Sequence, residues 1–273
     1  MPASSPDNVT PVTDPSVHPR HVVGSASLWV LGQVAGPRRV ATVLHAGADA
    51  VYVDLAGVCL AVLAAEAVKV PCGVRTTLPV LPSVSPGDAV VVVDGSIELP
   101  RCEVLVTDIV DTTVPVLTGD ASAWGARQVA QLASTALEAT RAGLPADALT
   151  RLASGDQRSV LPLLGLGPGL TPLGDDVLCG WLAAAVGRRH PGLADISSAV
   201  ALAAAQRTTT LSATLLRCAV RGEVVPEFRE LMSGVAREDE PVVKQSVDLL
   251  LDIGDTSGAG LLLGAALALG GAA

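Results

Sequence analysis

Two adjacent carboxylates behind a glycine-rich turn are the residues best placed to do chemistry in this chain. The turn runs Gly165-Leu166-Gly167-Pro168-Gly169-Leu170-Thr171-Pro172-Leu173-Gly174-Asp175-Asp176. Its glycines let backbone N–H groups turn toward a ligand with no Cβ in the way, and Pro168 and Pro172 stiffen it. The segment that follows, 177–189, is apolar and Ala-rich and reads as helix. A turn of this kind at a helix N-terminus is a ready anion site. No Gly-Lys-Ser/Thr follows, so it is not a Walker loop. Asp175 and Asp176 would repel a bare phosphate. Either a cation lies between them, or they accept N–H donors from a substrate.

Two more predicted helices begin with small polar residues. One starts Gln206-Arg207-Thr208-Thr209-Thr210-Leu211-Ser212 and the other Gly254-Asp255-Thr256-Ser257-Gly258. Each offers hydroxyls and unpaired N–H groups at an N-terminus that carries roughly half a positive charge. If the three starts converge, they form one donor-rich pocket, with Arg207 its only fixed positive charge. Such a pocket suits a small, flat anion. Ordinary helix capping explains Thr208, Thr209, Ser212, Thr256 and Ser257 equally well. It explains the first stretch less well, because four glycines and two aspartates exceed what a cap needs. Arg75-Thr76-Thr77 is a weaker candidate for an anion contact.

These starts must be positioned by elements whose character changes midway. Short β-branched-rich runs separated by Gly and Pro occupy 28–31, 39–45, 50–55, 58–63, 73–77, 88–94 and 103–107, about ten residues apart. From Trp124 onward the period is helical, with helices expected over 126–142, 145–153, 177–189, 194–205, 209–221, 240–253 and 257–269. The chain is therefore read as α+β: an N-terminal β-rich domain, barrel- or sandwich-like, over 23–119, then an all-helical C-terminal domain over 120–273. Residues 1–22 read as a disordered lead-in. Gly180, Ala183, Ala184 and Gly187 form one seam of small residues, and Gly260, Gly264 and Ala268 another. In a chain with 2% aromatic residues, close helix approach is the expected way to fill space.

Composition narrows the function. A formal charge of -9 offers no basic stripe for nucleic acid. The five cysteines are odd in number and scattered, which disfavours a disulfide framework or a zinc site. No signal peptide or membrane span is read, so a reducing cytoplasm is the expected compartment.

At the glycine-rich turn, at Thr208-Thr209 with Ser212, and at Thr256-Ser257-Gly258, the sequence resembles the AllH-like family. That family is the small subunit of oxamate carbamoyltransferase in anaerobic allantoin breakdown, within purine catabolism. Two residues depart from the pattern: Leu173 stands where a serine is expected and Gly260 where an aspartate is expected. The resemblance implies a subunit working with two larger, different partners. It implies exchange of a carbamoyl group between oxalurate and phosphate, giving oxamate and carbamoyl phosphate. On this reading Thr171, Asp175 and Asp176 are the catalytic candidates. Gly167, Gly169, Gly174, Arg207, Thr208, Thr209, Ser212, Thr256, Ser257 and Gly258 bind substrate or phosphate, and Asp175 and Asp176 are the candidate Mg²⁺ ligands. The competing readings are a non-catalytic metabolite-binding or assembly subunit and a stand-alone enzyme acting on a phosphate ester or nucleotide.

Overall fold

The computed structural model describes residues 20–270. Eight strands close into a barrel: β1 (Arg20–Ala26), β2 (Arg39–Ala46), β3 (Ala50–Asp54), β4 (Cys59–Leu63), β5 (Gly73–Thr76), β6 (Ala89–Val93), β7 (Ser96–Leu99) and β8 (Cys102–Ile109). Their order around it is β1-β5-β4-β3-β2-β6-β7-β8. The β1–β8 and β4–β5 pairs are parallel and the others antiparallel.

Several expectations need correction. A sandwich-like layer is ruled out by the closure of β8 onto β1. Residues 28–31, read as a strand, lie in a helix, α1 (Leu28–Val34), capped by the Ser27 hydroxyl. Its Val30 and Val34 are fully buried in the barrel core with Val51, Val53, Leu60 and Val92. The run 28–31 is apolar and short like a strand, and four residues are too few to display a helical period. The short β7 was not expected. The lead-in 1–22 lies outside the described residues, apart from Arg20, His21 and Val22, which belong to β1.

The strand β4 explains how the barrel meets the helices. Its five residues are all buried, the mark of a strand covered on both faces. Leu60 and Val62 point into the barrel, whereas Cys59, Ala61 and Leu63 pack with Leu211 and Cys218. The backbone N–H of Cys59 also donates to Thr214 Oγ1 at 2.9 Å.

The helices are α2 (Gly119–Leu132), α3 (Ser134–Ala142), α4 (Ala146–Ala153), α5 (Val160–Leu163), α6 (Leu173–Arg188), α7 (Leu193–Arg207), α8 (Thr210–Val220), α9 (Pro226–Arg237), α10 (Glu240–Leu251) and α11 (Ser257–Ala268). The single helix expected over 126–142 is two, broken at Ala133. The helix α9 was missed, although it has Pro226 in its first turn and Phe228, Leu231, Met232 and Val235 on one buried face. An isolated antiparallel bridge pairs Thr113, at the end of the β-rich half, with Glu223 among the helices.

The helices α6 and α11 are buried nearly all round and pack together through the two seams of small residues. A Cβ on Gly180 would fall inside the carbonyl oxygen of Leu261, and one on Gly264 inside that of Val177. Gly180→Ala is therefore expected to destabilise the protein by about 3 kcal/mol, although alanine favours a helix by up to about 1 kcal/mol. Urea unfolding measures this, and an unchanged midpoint would mean that the two helices are free to separate.

Candidate functional site

The three polar helix starts meet. Helix α6 begins at Leu173, so Asp175 and Asp176 lie in its first turn. Thr171 Oγ1, just before it, is 3.0 Å from Ser257 Oγ, the first residue of α11. Thr209, the N-cap of α8, accepts from the Ser212 N–H at 3.0 Å and donates its hydroxyl to the Leu170 carbonyl at 2.6 Å.

The two aspartates have different surroundings. Asp175 is fully buried. It accepts from Gly165 N–H at 2.7 Å, from Ser212 Oγ at 2.7 Å and from the Thr208 hydroxyl. Both of its oxygens are thus used to tie the turn to α8. These bonds hold the site together. Asp176 is 5% exposed, and its Oδ2 is buried with no hydrogen-bond partner. Burial pushes its carboxyl up to about 7; the Ser257 hydroxyl beside it works the other way, and the Asp175 charge adds to the rise. Consecutive helical residues point about 100° apart, which separates the two roles.

Asp176 lines a cavity of about 260 Å³ between the barrel and α6, α8, α9 and α11. Thr171, Ser257 and Leu170 also line it, and Tyr52 joins them from β3. Most of the remaining wall is apolar, from Leu211, Leu215, Val224, Phe228 and Leu261 among others. No arginine, lysine or histidine lines it among the described residues. Most of the hydroxyls are engaged in joining the helices, and the cavity they frame is largely apolar. Burial, with Cys72 and Cys59 nearby, pushes the Tyr52 hydroxyl up to about 12, so it stays a neutral donor.

The other candidates separate clearly. Arg207 is the exposed last residue of α7 and does not line the cavity. Thr256 is exposed and its side chain makes no cap bond. Gly174 and Gly258 are packing residues, because a Cβ on either would collide with the carbonyl of Leu163 or Leu250. Gly167 has φ +121, and a Cβ there would lie 2.8 Å from Leu173 N, so only glycine suits the turn. At Gly169 a Cβ would meet open space. The backbone N–H groups of Gly167, Gly169, Leu170 and Thr171 have no acceptor among the described residues. Position 260 faces Asp176, with a Cβ there 2.8 Å from Asp176 Cβ. Glycine at this position spares Asp176 a neighbouring carboxylate.

The protein groups open to a cation such as Mg²⁺ are few. Asp175 spends both oxygens on protein donors, Asp176 offers one free oxygen, and the described residues contain no group of three His, Cys, Asp or Glu arranged to hold a metal ion.

Sequence reasoning missed Tyr52, Phe228, Val224 and Glu223 on the cavity wall. Glu223 is paired with Arg221 at 2.6 Å, and Arg221 lies 4.5 Å from the centre of the Trp29 ring. Tyr52 is half-buried on β3, and its being the chain's single tyrosine was the available signal.

The fold and site define a closed β-barrel joined to a helical body whose helix N-termini frame one pocket. Within it, residues 163–269 match the family described as oxamate carbamoyltransferase subunit AllH. The resemblance drawn from the glycine-rich turn thus holds across α6 to α11, and the family is by its description a subunit of a carbamoyltransferase. No curated protein and no solved structure matches the chain. Among the described residues no helix is long and apolar enough to cross a membrane.

Proposed function

We propose that this chain is a carbamoyltransferase subunit that seats the carbamoyl end of its substrate at Asp176. The observation that carries this is that Asp176 lines the cavity, with its carboxyl held near neutrality by burial and its Oδ2 buried without a hydrogen-bond partner. A neutral carboxylic acid matches an amide in both directions, its O–H donating to the carbonyl oxygen and its own carbonyl accepting from the NH₂.

In the exchange, a phosphate oxygen bonds to the carbamoyl carbon and the bond from that carbon to the leaving nitrogen breaks. The proton that phosphate gives up ends on that nitrogen. Negative charge develops on the carbamoyl oxygen along the way, and the Asp176 O–H is the donor that stabilises it. The unpaired N–H groups of Gly167, Gly169, Leu170 and Thr171 lie at the exposed rim, where Leu170 and Thr171 also border the cavity. They suit phosphate or the phosphate end of carbamoyl phosphate. Two larger, different subunits complete the assembly. The family description names oxamate, so oxamate and oxalurate, its carbamoylated form, are the first pair to test.

The test is carbamoyl phosphate turnover by the full chain, alone and with its partner subunits. Asp176→Leu is expected to lower kcat by about a hundred- to thousandfold. Asp176→Asn keeps an N–H donor, so a smaller loss is expected. Activity of the unsubstituted protein should fall as pH rises through about 7, because the carboxylate form cannot donate, and the asparagine variant should show no such step. Full activity in Asp176→Leu would remove this residue from the reaction.

A further inference from the structure

Resting on that reading of Asp176, we propose that the cavity takes a neutral amide or ureide whose remainder is an apolar body, in place of the carboxylate carried by oxamate and oxalurate. The cavity has a polar end and a greasy end. Asp176, Thr171 and Ser257 supply the first, and Leu211, Leu215, Val224, Phe228 and Leu261 wall the second.

Three observations favour a neutral, apolar ligand. The first is size. A dry apolar cavity of about 150 Å³ accepts benzene, so about 260 Å³ has room for a ring or short branched chain together with an amide. Oxamate would leave most of it empty. The second is charge. No cationic side chain lines the cavity, and its two acidic residues are Asp176 and Glu223. A ligand carboxylate placed there would be a buried charge without a partner, beside groups of its own sign. The third is the absence of a call for a cation. Glu223 already has Arg221 at 2.6 Å. Gly260 keeps the polar end to one carboxyl, which burial holds near neutrality. An ammonium would therefore meet little fixed negative charge.

The experiment measures binding to the full chain near neutral pH, by calorimetry and thermal shift. The probes are benzamide, phenylurea, benzoate, benzylamine and oxamate, with a straight series from propionamide to hexanamide. Benzamide and phenylurea are expected to bind at least about tenfold more tightly than benzoate, benzylamine and oxamate. Each added methylene in the straight series should tighten binding about fourfold until the cavity is full. Tightest binding by oxamate would overturn the apolar-body inference and leave the amide reading of Asp176 standing. Tightest binding by benzylamine would overturn both, since Asp176 would then act as a counter-ion. Saturable binding by none of the probes would also overturn both.

Discussion

Replacing Asp176 with asparagine is expected to raise the melting temperature at about pH 8 and to change it little at about pH 4. The sign follows from the carboxyl's raised position. It lies at about 7 in the folded protein against 3.8 for the ordinary group, so between these values the folded state holds the extra proton. Stability from this residue is therefore fully present below about 4 and is lost as pH rises toward and through about 7. A gap of about three units corresponds to a penalty of at most about 4 kcal/mol. For a chain of this size that is up to about 8–16 °C. Asparagine has nearly the shape of the neutral acid and carries no charge, so it escapes the penalty. Groups remote from Asp176 titrate alike in both proteins and cancel in the difference. Scanning calorimetry of the two proteins across this range decides the matter. A difference that does not depend on pH would place the carboxyl in ordinary solvent. Paired with the loss of turnover expected of Asp176→Leu, the result describes a residue kept at a cost to stability, as active-site groups often are.

The neighbouring position should behave in the opposite way. Asp175→Ala is expected to destabilise the protein by about 3–5 kcal/mol and to abolish ligand binding at the cavity. The substitution strands the Gly165 N–H and the Thr208 and Ser212 hydroxyls, all now aimed at one buried carboxylate. Those bonds fix the glycine-rich turn on α8, and with it the position of Leu170 and Thr171 at the rim. Asp175→Asn keeps one carbonyl oxygen for the Gly165 N–H, and the two hydroxyls can rotate, so a smaller loss is expected. Denaturant unfolding of both variants, with benzamide binding as the second reading, tests this. An unchanged unfolding midpoint in Asp175→Ala with normal binding would show that the turn holds itself.

The glycine-rich turn was legible because its residue types have few other uses. The convergence of the three starts was legible for the same reason: Thr209 caps α8, and Thr171 and Ser257 carry hydroxyls at helix entries, where such groups are favoured. The distinction between Asp175 and Asp176 was not legible. It depends on which neighbour each meets across the site, and the chain records them only as adjacent. The character of the cavity was hidden for a related reason. Leu211, Val224, Phe228 and Leu261 come from four separate stretches, each of which looks like ordinary core until the barrel and helices are assembled. Arg207 stands out in the sequence as the only fixed positive charge among the three starts, but the structure puts it at the exposed end of α7. In the β-rich half, spacing between turns located most strands, whereas α1 was too short for periodicity to distinguish from a strand.

The most direct test is a carbon-detected NMR titration of the aspartate carboxyls, with Asp176→Asn used to assign the resonance and benzamide added in a second series. The account predicts that the Asp176 carboxyl titrates near about 7 and moves higher when the amide site is filled, because the ligand selects the protonated form. A midpoint in the ordinary carboxylate range of about 4, or one that benzamide leaves where it was, would contradict it.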